Sequence, residues 1–110
     1  MTILSEYRTM WVVVLFDLPT VTKSEKTAYR KFHTFLLEDG FTRVQYSVYG
    51  RHCASRELAE VHTGRVRGNL PPGGEVRMLQ MTDAQFARIE TFRAKNLTAT
   101  ERAPEQLTFL

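Results

Sequence analysis

Asp17 ends the apolar run Met10 to Phe16 and is followed at once by Leu18-Pro19. The β-branched and aromatic run reads as a first strand, and the proline stops it. One carboxylate is too few for a metal site. Two copies of Asp17 brought near a two-fold axis could hold Mg²⁺, with waters and phosphate oxygens completing its octahedron. A cation held there would polarise a phosphodiester and activate water. The plainer alternative is that Asp17 merely ends its strand, as Asp before a proline turn often does.

A second set of candidates lies in Phe41 to Tyr49, which alternates as one strand with Val44, Tyr46 and Val48 on one face and Arg43, Gln45, Ser47 and Tyr49 on the other. Arg43 could offset phosphate charge, Ser47 could donate a hydrogen bond and Tyr49 could stack on a base. The alternative is a solvated arginine and a tyrosine in a dimer contact. Lys23, Lys26, Arg30 and Lys31 cluster on one side of the preceding helix, which suits either nucleic-acid phosphates or plain solvent. His33, His52 and His62 share no tight motif, and surface or partly buried roles suit His33 and His62. Nothing orients His52 as a base, although Cys53 is its neighbour. Pro72-Gly73-Gly74 lacks the lysine and following helix of a phosphate loop, which argues against ATP or GTP use.

These residues need a scaffold, and the hydrophobic period supplies one. Thr22-Lys-Ser-Glu25 is a capping box that opens a helix to about Asp39, with Ala28, Phe32, Phe35 and Leu36 on its apolar face and Gly40 closing it. Ser55 caps a second helix over Arg56 to Arg67, whose buried stripe is expected to include Leu58 and Val61, with Ala54 and Val66. After the turn at Asn69 to Gly74, Glu75 to Met81 reads as another strand, and Ala84 to Phe92 has helical spacing too short for a major helix. A fourth strand has no clear place in the pattern. Residues 1–95 thus predict a ferredoxin-like α+β sandwich, βαββαβ, with both helices on one sheet face. Residues 96–110 read as a linker and a docking edge strand, Glu105 to Leu110. The first strand offers apolar side chains to both faces, so the face without helices needs a cover. A second copy of the chain is the simplest one, which predicts a homodimer.

The composition agrees with one small folded domain: 110 residues, 43% hydrophobic and 25% charged. The single cysteine, Cys53, allows no internal disulfide, and no Cys/His cluster has zinc spacing. No apolar run approaches the ~20 residues of a bilayer span, so a cytoplasmic protein is expected, with no membrane partner. The net charge is +3, its basic residues being mostly arginine, which is compatible with phosphate contacts.

Val13-Val14-Leu15-Phe16-Asp17-Leu18-Pro19, Phe32 to Gly40 and Arg43-Val44-Gln45-Tyr46-Ser47-Val48-Tyr49 together resemble the CRISPR-associated Cas-two family, the small non-integrase member of the spacer-acquisition pair. Asn69 to Val76 and Thr82-Asp83-Ala84-Gln85-Phe86 extend the resemblance over nearly the whole chain. The tail Ala103-Pro104-Glu105-Gln106-Leu107 is similar to members from Cas9-type systems. The resemblance implies a homodimer that binds Mg²⁺ through Asp17, with catalytic roles for Asp17, Arg43 and Tyr49 and nucleic-acid contacts from Lys23, Lys26, Arg30, Lys31 and Ser47. It implies a metal-dependent endonuclease on single-stranded RNA or double-stranded DNA. Its leading implication is a spacer-acquisition adaptor that bridges two integrase dimers in a heterohexamer and holds the protospacer duplex, with the endonuclease activity carried by the same protein. A stand-alone endoribonuclease of the toxin type is the alternative.

Overall fold

The computed structural model describes residues 9–94. Its elements are β1 (Met10–Asp17), α1 (Lys23–Glu38), β2 (Thr42–Gln45), β3 (Val48–Cys53), α2 (Arg56–Arg67), β4 (Glu75–Thr82) and the short α3 (Asp83–Ala87). The strands form one sheet in the order β2-β3-β1-β4, each pair antiparallel. With α1 and α2 this is the ferredoxin-like βαββαβ order that the pattern predicted.

One expectation is corrected. Phe41 to Tyr49 is not a single strand: it breaks at Tyr46 and Ser47 into the β2–β3 hairpin, and the second strand runs on to Cys53. The alternation survives a two-residue turn, so periodicity alone hid the break, and β3 is the strand that the pattern left unplaced. Ser47 is the only non-glycine with positive φ among the described residues, at 64°.

The core lies between the sheet and the two long helices. Met10, Val12, Val14 and Phe16 of β1 meet Phe32 and Leu36 of α1 and Ala59 and Val66 of α2. Burying Phe32 and Leu36 contributes about 2 kcal/mol each, enough to fix the face of α1. The capping box at its start is complete: Thr22 Oγ1 accepts from the Glu25 N–H at 3.1 Å, and Glu25 accepts from the Thr22 N–H at 2.9 Å. Those backbone donors, Thr22 first and then Val21, hold Glu25 below the usual carboxylate range.

In α2 the buried stripe differs from expectation: Leu58 and Val61 are exposed, while Ala59, His62, Thr63 and Val66 face inward. Polar partners make this possible. His62 Nδ1–H donates to Asp39 Oδ2 at 2.7 Å, Arg65 donates to Asp39 Oδ1 at 2.7 Å, and Gln80 of β4 reaches Thr63 and Glu60. Gly40 turns the chain at φ 92°, and a Cβ there would sit 3.0 Å from the Arg51 guanidinium, whose Nε donates to the Asp39 carbonyl.

On the opposite sheet face α3 supplies part of the cover. Phe86 stacks on Trp11 at 3.8 Å between ring centroids, and Trp11 Nε1–H donates to Asp83 at 2.8 Å. Val44 and Leu79 remain exposed on that face. Among the described residues no helix is long and apolar enough to cross a membrane. The linker and docking strand read over residues 96–110 lie outside the described residues.

Candidate functional site

Asp17 is exposed at the end of β1, on the sheet face that carries neither α1 nor α2. The antiparallel register sets Asp17 directly opposite Glu75 and Leu15 opposite Arg77. Side chains so opposed have Cβ atoms about 5 Å apart, which puts two carboxylates together within one chain. The Arg77 guanidinium lies 3.4 Å from Glu75, so this acid has a cationic partner on its own strand. These residues, with Leu15 and Phe16, line a shallow cleft of ≈ 250 Å³. Gly74 packs on the same strand end: at φ 80° the backbone comes so close that a Cβ would meet the Asp17 carbonyl oxygen at 2.6 Å. The Asn69 to Gly74 loop is thereby pressed against Asp17 and Leu18.

The β2–β3 turn touches the same strand end. The Phe16 N–H donates to the Ser47 carbonyl at 3.0 Å, which ties the residue before Asp17 to the turn. Arg43 is exposed on β2 and lies over the Tyr46 ring, 5.4 Å from its centroid. Tyr29 of α1 is beside both Tyr46 and Ser47, and burial first, then the hydrogen bond to Tyr46, push its phenol above the ordinary range.

Tyr49 is placed differently from its expected position. It is 1% exposed, stacked on Phe16, and shares a 2.6 Å hydrogen bond with His33 Nδ1. Its ring is therefore part of the core under α1 and has no free face for a base, because the residue shares a face with Phe41 and the helices rather than with solvent. His33 is correspondingly half-buried.

Lys23, Lys26, Arg30 and Lys31 are all exposed on α1, away from the buried Phe32 and Leu36. Glu25 alone is acidic in the first turn, and its carboxylate is engaged by the cap. The helix thus offers a run of cations with little opposing charge. Ser47, Tyr29 and the Asp17 cleft are linked by direct contacts; the lysines lie on the outer face of the helix that carries Tyr29.

Two features had no signal in a single sequence. Glu75 joins Asp17 only through strand register, which neither strand encodes alone. The Asp39–His62–Arg65 network joins the end of α1 to α2, where the pattern gave a helix boundary and an isolated histidine. Burial raises the Cys53 thiol, with Arg51 opposing and Asp39 adding to the effect, so Cys53 is a core residue and no thiolate nucleophile.

The Asp17–Glu75 pair offers carboxylate oxygens, the donor type of a hard divalent cation that keeps several waters; among the described residues no group of three or more His, Cys, Asp or Glu that could hold a metal is assembled. A closed zinc site would need more ligands.

Comparison with known proteins agrees with this architecture. Residues 10–89 match the family model for CRISPR associated protein Cas2. A protein named CRISPR-associated endoribonuclease Cas2 from Parvibaculum lavamentivorans is 53% identical over 98 residues, covering 89% of this chain and 97% of the relative. Its namesake from Flavobacterium psychrophilum is 46% identical over 104 residues, covering 94% and 90%. In fold the chain is similar to the crystal structure of Streptococcus pyogenes Cas2, with a TM-score of 0.55 at 23% identity, over 74% of this chain and 98% of that one. A match across the whole βαββαβ unit, with relatives this similar along nearly their full length, means that the chain belongs to the CRISPR-associated Cas2 family.

Proposed function

We propose that this chain is a metal-dependent endonuclease of the CRISPR system, cutting the phosphodiester backbone of single-stranded RNA at the Asp17 cleft. The observation that carries the reading is the register of Asp17 with Glu75, two exposed carboxylates at one strand end. The relatives named endoribonuclease support the reaction type and an RNA substrate. Asp17 and Glu75 would hold a divalent cation such as Mg²⁺, which when bound neutralises phosphate charge and lowers the pKa of a coordinated water. Arg43, exposed on β2 and opposite Tyr49 in register, is on the other sheet face from Asp17 and would offset charge on flanking phosphates rather than on the one being cut. Lys23, Lys26, Arg30 and Lys31 hold the flanking backbone, and Ser47 is placed by its turn beside the strand end. In a homodimer built on the open sheet face, two such clefts approach the two-fold axis.

A second reading, favoured by the exposed cations of α1 and by the outer position of β4 in the sheet, is an adaptor in spacer acquisition. The dimer then bridges two integrase dimers and grips protospacer duplex through phosphate contacts alone.

The test compares the wild-type full chain with Asp17→Ala, both checked for dimerisation by light scattering. We expect single-stranded RNA to be cut with Mg²⁺, not with chelator, and not by the variant. Cleavage that survives in Asp17→Ala sinks the nuclease reading. Spacer acquisition reconstituted with the cognate integrase then separates the roles: normal acquisition by the variant assigns Asp17 to cleavage only.

A further inference from the structure

Ser47 holds a left-handed backbone conformation without being glycine or asparagine, the residues that ordinarily occupy the third position of such a turn. A non-glycine in that region persists only where its surroundings over-determine it, and such residues cluster at functional sites. Here the surroundings can be named. The Ser47 carbonyl takes the Phe16 N–H at 3.0 Å. Tyr29 approaches from α1, with its hydroxyl beside the Ser47 and Tyr46 side chains and its ring edge-on to Phe16, 6.0 Å between centroids. From below, Tyr49 stacks on Phe16 at 5.6 Å and is itself tied to His33. Phe16 is thus gripped through both its backbone and its ring, and the next residue is Asp17.

We propose that Tyr29 is a positioning residue for Asp17: it holds the strained Ser47 turn, and the turn, through the Phe16 N–H, fixes the end of β1 from which the Asp17 carboxylate projects. Tyr29 never touches the substrate in this scheme. The proposal rests on the reading of Asp17 as the centre of the cleavage site. Its physical basis is that Asp17, exposed and last in its strand, is paired with Glu75 on the β4 side only, the β1–β3 ladder having ended at Leu15. Gly74 restrains it from the β4 side, and the Ser47 turn restrains it from the β3 side. A carboxylate that must share a cation with Glu75 across the ladder tolerates little displacement, since misplacement of about 1 Å can cost on the order of a hundredfold in rate.

The test is Tyr29→Phe in the full chain, which keeps the ring against Phe16 and removes only the hydroxyl. Two quantities are read: amide hydrogen exchange at Phe16, by NMR, and steady-state cleavage of single-stranded RNA in Mg²⁺, resolved into kcat and KM. We expect Phe16 exchange to accelerate roughly 10-fold, as a turn that opens about ten times more often implies, with kcat falling about 10-fold and KM unchanged. A role in general stability would speed exchange at all core amides alike, so Val12 and Val14 serve as internal controls and should not change. Wild-type exchange at Phe16 overturns the proposal, and so does a raised KM with unchanged kcat, which would make Tyr29 a substrate contact. If the wild type cuts no RNA, the cleavage reading fails and the catalytic part of this proposal with it; the exchange data then decide separately whether Tyr29 restrains the strand end.

Discussion

Asp17 and Glu75 face each other in direct register across the β1–β4 ladder, on the sheet face that carries neither α1 nor α2. Like charges placed directly opposite in a sheet repel, and Arg77, paired to Glu75 at 3.4 Å, offsets only part of this. A cation between the two carboxylates would turn repulsion into attraction. One protomer then supplies the two carboxylates that sequence reasoning sought from two copies of Asp17.

Glu75→Gln should therefore act in opposite senses with and without metal. In chelator the variant should be as stable as the wild type or more stable by up to about 0.5 kcal/mol. Addition of Mg²⁺ should raise the thermal midpoint of the wild type, because a ligand that binds only the native state stabilises it, and should raise that of the variant less. A variant less stable in chelator would mean that Glu75 serves as an anchor for Arg77 instead.

Gly74→Ala should cost about 2–3 kcal/mol in urea denaturation, combining left-handed strain with overpacking against the Asp17 carbonyl and Leu18. Gly73→Ala is the matched control, since nothing lies within 4 Å of a Cβ at that position, and it should be close to neutral. Equal effects at the two glycines would remove the case for the loop as a clamp on Asp17.

Much of this architecture is legible in the residues themselves. β1, both long helices and their Thr22 and Ser55 caps follow from local pattern, because each depends on neighbours within a turn or two of chain. The hairpin at Tyr46 and Ser47 was hidden, because Ser47 adopts a conformation its type rarely takes, and alternation continued across it. Tyr49 keeps the face it shares with Arg43, its partner in register, but that face lies under α1, and which sheet face a helix covers is a tertiary choice that alternation does not encode. The stripe of α2 was misplaced for a different reason: His62 and Thr63 pack inward only because Asp39 and Gln80 satisfy them, and those partners are 23 and 17 residues away in sequence. Asp17 was readable as a candidate; Glu75 needed the register.

Acid should expose the role of Asp39. Burial raises its carboxyl, but the hydrogen bonds from His62 and Arg65, with their charges, outweigh burial and hold it below the usual range. A carboxyl depressed in the folded state contributes stability that is complete above its unfolded value of about 3.9 and is lost as pH falls through the folded value. Stability measured by denaturant between pH 5 and pH 2 should fall in the acid part of that range, and Asp39→Asn should flatten the fall. At neutral pH the same variant should lose about 1–2 kcal/mol, because Asn leaves one acceptor oxygen where His62 and Arg65 each use one, and the partly exposed Arg65 is free to turn to solvent. An unchanged acid slope would place the titration elsewhere.

The exposed cations of α1 make a prediction about salt. If Lys26 and Arg30 each neutralise a phosphate, log K for duplex binding should fall linearly with log salt, and Lys26→Ala or Arg30→Ala should each lower the magnitude of the slope by about 0.9, or by about 0.7 on single strands. Fluorescence anisotropy over a range of salt concentrations gives the slope directly. The loss should be the same for unrelated sequences, since phosphate contacts carry no base information. Arg67→Ala is the control: it lies in the last turn of α2, whose exposed face also carries Glu57 and Glu60. Its slope should match the wild type. A loss at Arg67 equal to that at Lys26 would mean that binding follows net charge, and α1 would then have no special claim as the nucleic-acid face.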